Sequence, residues 1–224
     1  MIAKPFTRLI RATDLQEASL RTTGRGKRDW WNLEGLTGRL IELSGKGAAS
    51  PLTLASALVR EAQRSKIPVA WVSATLHAFY PPDMAENGVD LEALPVVWAN
   101  DALSSGRAAD WLIRSSCFGL IILDLRSDLR SDRRSEFGSN CNLPAYLQSR
   151  LIQLARIHDT ALLCLTTKGE ALPSLGSMVS LRGQAARERV GPCEYLCKVQ
   201  VLKDKRRGPG WQHTEVCRGP AGLR

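Results

Sequence analysis

The sequence predicts an α/β domain with a central, mostly parallel sheet, helices on both faces and antiparallel strands at its C-terminal end. Two observations carry this. From residue 38 to residue 167, short apolar runs alternate with amphipathic segments of helical length, the order of repeated βαβ units. After Gly169 the period changes to two, with Gly and Pro turns between the runs, as in antiparallel strands that extend the same sheet.

Each element follows from its residues. Gly38 introduces a strand over 39–44, and after a small-residue loop the apolar period of 52–64 predicts a helix. "IPVAWVSA" is a second strand with Pro68 at its entry, where no ladder N–H is lost. "LPVVWAN" is a third strand, and "SSGRAADWLIRS" a helix with Ser105 expected as its cap. "GLIILDL" is apolar throughout and therefore a strand buried on both faces. "LPAYLQSRLIQLARIHD" is a further helix and "TALLCLTT" a fifth strand. "SMVSLRGQ", "EYLCKVQVLKDKR" and "WQHTEVCR" supply the antiparallel strands. Ahead of all this, residues 1–34 read as an N-terminal arm: a helix over 1–22 with Phe6, Leu9, Ile10, Leu15 and Leu20, then the basic linker "TTGRGKR". Residues 35–224 read as one core domain.

A chain of 224 residues with 44% hydrophobic content can bury a core without staples. The six cysteines lie mostly in apolar stretches and have only three histidines for company, so free buried thiols are expected rather than zinc, Cys193 and Cys197 included. No apolar run reaches the ~20 residues of a membrane span, and the expected location is the cytoplasm. The net charge of +9 points to nucleic acid or an acidic partner. Three clusters carry it: Arg21, Arg25, Lys27 and Arg28; Arg126, Arg130, Arg133 and Arg134; and Lys203, Lys205, Arg206 and Arg207.

The stretch "LIELSGKGAASPLTLASAL" has the order strand, glycine loop, helix of a phosphate-binding loop, but not its chemistry. Such a loop needs a second glycine, a lysine and a Ser or Thr at fixed offsets from the first glycine. Counted from Gly45, those offsets hold Ser50, Pro51 and Leu52. Lys46 comes too early and reads as a solvent-facing turn residue. Asp124, at the end of a buried strand, reads as an interior carboxylate bonded to a neighbouring loop ahead of a cation ligand. The repeat "RSDLRSDRRS" that follows lacks apolar periodicity and reads as a loop on the carboxyl edge of the sheet, where open α/β sheets bind ligands. His77, His158 and His213 have no partner spacing. Trp30 and Trp31 read as closing one end of the core ahead of stacking on bases.

In order, "GRLIEL", "GLIILD" and "KVQVLKDKR" resemble strands of the ATP-binding core of the RecA recombinases, over roughly residues 35–218. "YPPDMAENGVDLEALPVVWA" and "LQSRLIQLAR" are similar to the ImuA proteins, also described as SulA-like, which are shortened RecA relatives. The resemblance implies a RecA-like core with Asp124 at the metal-site position. Its departures matter more. Proline stands where the phosphate lysine belongs, and "WVSATLHAF" holds no carboxylate where RecA has the glutamate that activates water.

The resemblance therefore implies a degenerate nucleotide site, Gly45, Ser50, Pro51, Leu52 and Asp124, with no catalytic residue, cofactor or metal. It implies a non-enzymatic adaptor of DNA-damage-induced translesion synthesis, part of the SOS response, nucleoid-associated during damage. Its implied partners are an inactive Y-family polymerase homologue (ImuB-like), an error-prone replicative polymerase and RecA. Weak, sequence-blind DNA contact is expected through Arg126, Arg130, Arg133, Arg134, Lys168 and Arg182, with self-association as a further property. The alternatives are a weak ATP-dependent DNA-binding RecA paralogue and a cell-division inhibitor of the SulA type.

Overall fold

The structure is a computed structural model describing residues 30–45, 49–74, 79–126, 143–191 and 194–218. Eight strands form one sheet in the order β3-β2-β4-β5-β1-β6-β7-β8. They are β1 (Arg39–Ser44), β2 (Val69–Ser73), β3 (Val96–Trp98), β4 (Leu120–Asp124), β5 (Ala161–Thr166), β6 (Leu181–Arg189), β7 (Glu194–Asp204) and β8 (Gln212–Arg218). The helices are α1 (Leu33–Leu36), α2 (Ala49–Arg64), α3 (Pro81–Glu86), α4 (Ala102–Arg114) and α5 (Ala145–Ile157).

The apolar runs sit at the centre because both of their faces are covered. Along β1, Ile41 and Leu43 pack on the side of α1, α2 and α3, and Leu40 on the side of α4 and α5. Along β4 and β5, alternate residues divide the same way: Leu120, Ile122, Leu163 and Leu165 to one layer, Ile121, Leu123, Leu162 and Cys164 to the other. A run without polar alternation is what a strand covered on both sides requires. Trp31 and Leu33 are already packed into the first of these layers.

Gly38 makes the entry to β1. Its φ of 67° lies in the left-handed region, and its N–H bonds to Thr160 O at 3.2 Å, tying the turn to the start of β5.

The structure refines the expected elements in four places. The helix after β1 starts at Ala49, three residues early. Asp101, not Ser105, caps α4: its carboxylate accepts from Ser104 N at 2.6 Å, which holds its pKa below the usual carboxylate range. Ser105 Oγ instead donates to Asp101 O within the first turn. α1 and α3 are additional, and α3 has Pro in its first turn and Gly88, at φ 79°, after its end. Finally, β6 pairs with β1 in parallel, Glu42 opposite Arg182, so the antiparallel part begins one strand later, at β6 with β7. The N-terminal helix expected over 1–22 lies outside the described residues.

Candidate functional site

The carboxyl ends of β1, β4, β5 and β6 converge on one edge of the sheet, the place where an open α/β sheet binds ligands. β1 delivers Gly45, whose N–H bonds to Thr166 O at 3.3 Å, and the chain returns at Ser50 and Pro51 in the first turn of α2. Pro51 is buried with its ring against Gly45: a Cβ on that glycine would lie 3.0 Å from Pro51 Cγ and 3.1 Å from Cδ. Proline suits a first helical turn, where an N–H has no intrahelical partner. A phosphate cradle is made of such N–H groups, so proline removes a donor as well as the lysine. Leu52, at the offset of the metal-binding hydroxyl, is half-buried and packs on the core beneath α2. Ser50 is buried as well. Lys46 lies outside the described residues.

Asp124, at the end of β4, is fully buried. Arg126 holds it in a two-pronged grip. Nε donates to Oδ1 at 2.8 Å, Nη2 to Oδ2 at 2.7 Å, and the Arg126 N–H adds a third bond to Oδ1 at 3.2 Å. Both carboxylate oxygens thus face a guanidinium in the geometry that makes Arg–carboxylate pairs strong. The Asp124 carboxylate is thus covered by a cation of the chain itself.

A second buried carboxylate, on the α4 and α5 side of the sheet, was not singled out from the sequence. Glu42 of β1 is fully buried. It accepts from Thr166 Oγ1 at 3.2 Å and from Leu175 N at 2.8 Å, with Lys168 Nζ at 4.0 Å and Arg182 Nε at 3.9 Å. Arg182 spends its other nitrogens on the same loop, donating to Leu172 O at 2.5 Å and Gly169 O at 2.9 Å. Gln148 of α5 donates to Leu175 O at 3.0 Å. The connection from β5 to β6 is therefore pinned from beneath. Burial and the Glu42 charge push the neighbouring Cys164 thiol up, so it stays protonated and unreactive.

These contacts correct the expected DNA-binding set. Arg126 is 5% and Arg182 6% exposed, and both are committed to interior acceptors, so neither offers its guanidinium to a phosphate. Lys168 also leans inward toward Glu42, with 17% of its side chain exposed. Arg130, Arg133 and Arg134 lie outside the described residues. Trp31 is buried in the core, while Trp30 stacks beneath Arg207, 3.2 Å from its ring centroid. His158 pairs with Ser116 Oγ at 2.8 Å and His213 sits near Glu215, at separate places; His77 and Cys193 lie outside the described residues. Among the described residues no three His, Cys, Asp or Glu groups could hold a metal together, and no helix is long and apolar enough to cross a membrane.

The fold and site define a RecA-like α/β domain. In structure it is similar to the RadB recombinase, with a TM-score of 0.58 over 80% of this chain and 87% of that one at 17% identity. In sequence it is similar to Protein RecA of a Picosynechococcus species, 32% identical over 118 residues, 53% of this chain and 33% of that protein. Protein RecA of Bacteroides thetaiotaomicron is 28% identical over 194 residues, 75% of this chain and 58% of that protein. The match to the first of these relatives thus spans about a third of its length. No family model matches the chain. The chain is thus similar in sequence to RecA over part of its length, and it has the RadB-like fold of a mostly parallel sheet with β7 and β8 added antiparallel after β6.

Proposed function

We propose that this chain is a non-catalytic accessory protein of DNA-damage-induced translesion synthesis, an ImuA-like adaptor that uses a RecA-like scaffold without its phosphoryl chemistry. One observation carries the reading: Arg126 neutralises Asp124 at the metal-site position, beside a loop that has Pro51 for lysine and Leu52 for the hydroxyl. Phosphoryl transfer depends on a lysine and a metal ion to balance charge on the moving phosphate, and both are replaced. What the scaffold retains is its surface. The proposed partners are an inactive Y-family polymerase homologue, an error-prone replicative polymerase and RecA, with weak, sequence-blind contact to DNA. The proposed location is the cytoplasm.

The test is co-purification of the full chain with that polymerase homologue in three conditions: no nucleotide, ATP with magnesium, and ADP with magnesium. The expected result is one complex of unchanged affinity in all three. A complex that forms only with ATP, or no complex in any condition, overturns the proposal.

A further inference from the structure

Two stripes of exposed side chains run side by side on the outer surface of α4 and α5. On α4, Arg107, Trp111 and Arg114 follow at spacings of four and three and are all exposed. On α5, Tyr146, Arg150, Gln153 and Ile157 repeat that spacing and are all exposed. The helices pack closely: a Cβ on Gly106 would lie 2.5 Å from Leu147 Cδ2. Arg150 fastens the stripes together, its Nε and Nη2 both donating to the Asp110 carboxylate of α4.

This surface is unusual in two respects. Trp111 at 70%, Ile157 at 70% and Tyr146 at 64% are the three most exposed large apolar side chains among the described residues, and all three are here. Three guanidiniums accompany two carboxylates: Arg114 and Arg150 share Asp110, and Arg107 lies near Asp101 at the start of α4, which leaves a surplus of one positive charge. Tryptophan, tyrosine and arginine are the residues that anchor protein interfaces.

Charge and geometry select the occupant. A second copy docked on this face about a two-fold axis would set the arginine surplus against itself. A single nucleic-acid strand is held by a cationic groove with free aromatic faces. Here the Arg114 guanidinium already lies over Trp111, 5.4 Å from the ring centroid, and occupies that face. An acidic protein segment meets both features, its carboxylates facing the arginines and its apolar residues covering the aromatics. The stripe from Tyr146 to Ile157 is about 16 Å long, or three helical turns, and offers anchors at the spacing that an amphipathic helix reads.

We infer that the outer face of α4 and α5 docks an acidic amphipathic segment of a protein partner, about three turns long. The inference stands on this face alone and is independent of the state of the nucleotide site. The experiment titrates the full chain with a fluorescent synthetic peptide of about 15 residues, Leu or Phe at helical i, i+4, i+7 spacing and Glu at most other positions. Two comparison probes are the same peptide with Lys for Glu and an oligothymidylate of equal length. The acidic peptide is expected to bind, about tenfold or more weakly to Trp111→Ala and to Arg107→Glu/Arg114→Glu, with melting temperatures unchanged. The lysine peptide is expected not to bind. Failure of the acidic peptide to bind, equal binding by the variants, oligothymidylate binding lost in the same variants, or a self-association lost in Trp111→Ala would each overturn the assignment.

Discussion

Arg126 reaches back over two residues to clasp Asp124, placing one guanidinium nitrogen on each carboxylate oxygen at 2.8 and 2.7 Å, in a position where the pair is almost wholly shielded from water. A divalent cation would have to expel the arginine from both oxygens of the buried carboxylate. The pair therefore acts as a built-in counter-ion.

The first expected consequence is indifference to nucleotide. A ligand present at about 100 times its dissociation constant raises stability by roughly 2.7 kcal/mol, a shift that thermal melting resolves readily. With millimolar ATP and magnesium no upward shift is expected, and no phosphate release with or without DNA. A clear shift would show that the loop binds phosphate despite Pro51 and Leu52.

The second concerns stability. Arg126→Ala leaves a buried carboxylate uncompensated, and breaking one side of a buried pair costs about 3–5 kcal/mol. Replacing both partners by apolar residues of similar volume, Asp124→Leu with Arg126→Met, is expected to recover most of that loss. Urea denaturation of the parent and the two variants measures this; a fully stable Arg126→Ala would mean that Asp124 is satisfied without it.

How far the site was legible depended on the range of its interactions. The alternation of strands and helices was readable because β4 and β5 are apolar runs of strand length, and the degenerate loop because Ser50, Pro51 and Leu52 sit at fixed local offsets from Gly45. Arg126 was read as a DNA contact because a basic loop beyond a strand edge is usually solvated, and nothing local says that one of its arginines turns back by two residues. Glu42 was passed over because its partners Thr166, Lys168, Leu175 and Arg182 are more than 120 residues away. A signal did exist: a carboxylate in the middle of a buried run demands a partner. The cap of α4 was misassigned because Asp101 and Ser105 both precede apolar helical positions, and only the backbone decides which stands outside the first turn.

The third consequence is a pH dependence set at the other end of β1. Arg39 Nη2 bonds Asp204 Oδ1 at 2.5 Å, and Asp204 also accepts from Arg206 N at 2.8 Å and Trp211 Nε1 at 3.1 Å. Burial pushes the Asp204 carboxyl up, but the Arg39 hydrogen bond and the other donors outweigh it and hold the group below its ordinary value. A depressed carboxylate stabilises the fold above its unfolded pKa, and that contribution is lost as pH falls through the folded value. Stability is thus expected to decline below about pH 4, and Asp204→Asn to flatten the decline. The same variant should lose about 3–5 kcal/mol at neutral pH by leaving Arg39 buried and unpaired. An Asp204→Asn protein with the parent's acid profile would locate the titration elsewhere.

The last consequence separates the arginines by their surroundings. Arg126 and Arg182 are bound to interior acceptors, so the DNA contact proposed for this edge falls to Arg130, Arg133 and Arg134, with Asp128 and Asp132 partly cancelling them. Three phosphate contacts give a log affinity that falls with log salt at a slope of about −3 on duplex DNA, since each contributes roughly −0.9. Arg130→Ala/Arg133→Ala/Arg134→Ala is expected to flatten that slope nearly to zero. Arg182→Ala should do the reverse: it unpins the loop at Gly169 and Leu172 and removes a cation from beside Glu42, lowering stability while the slope of the folded fraction stays near its parent value. Fluorescence anisotropy on labelled duplex across a salt series, read beside thermal melts of the same variants, keeps binding and folding apart. A triple variant with the full slope would move the contact to Lys203, Lys205, Arg206 and Arg207 or to the N-terminal cluster; a shallower slope in folded Arg182→Ala would show that the buried guanidinium becomes available when DNA arrives.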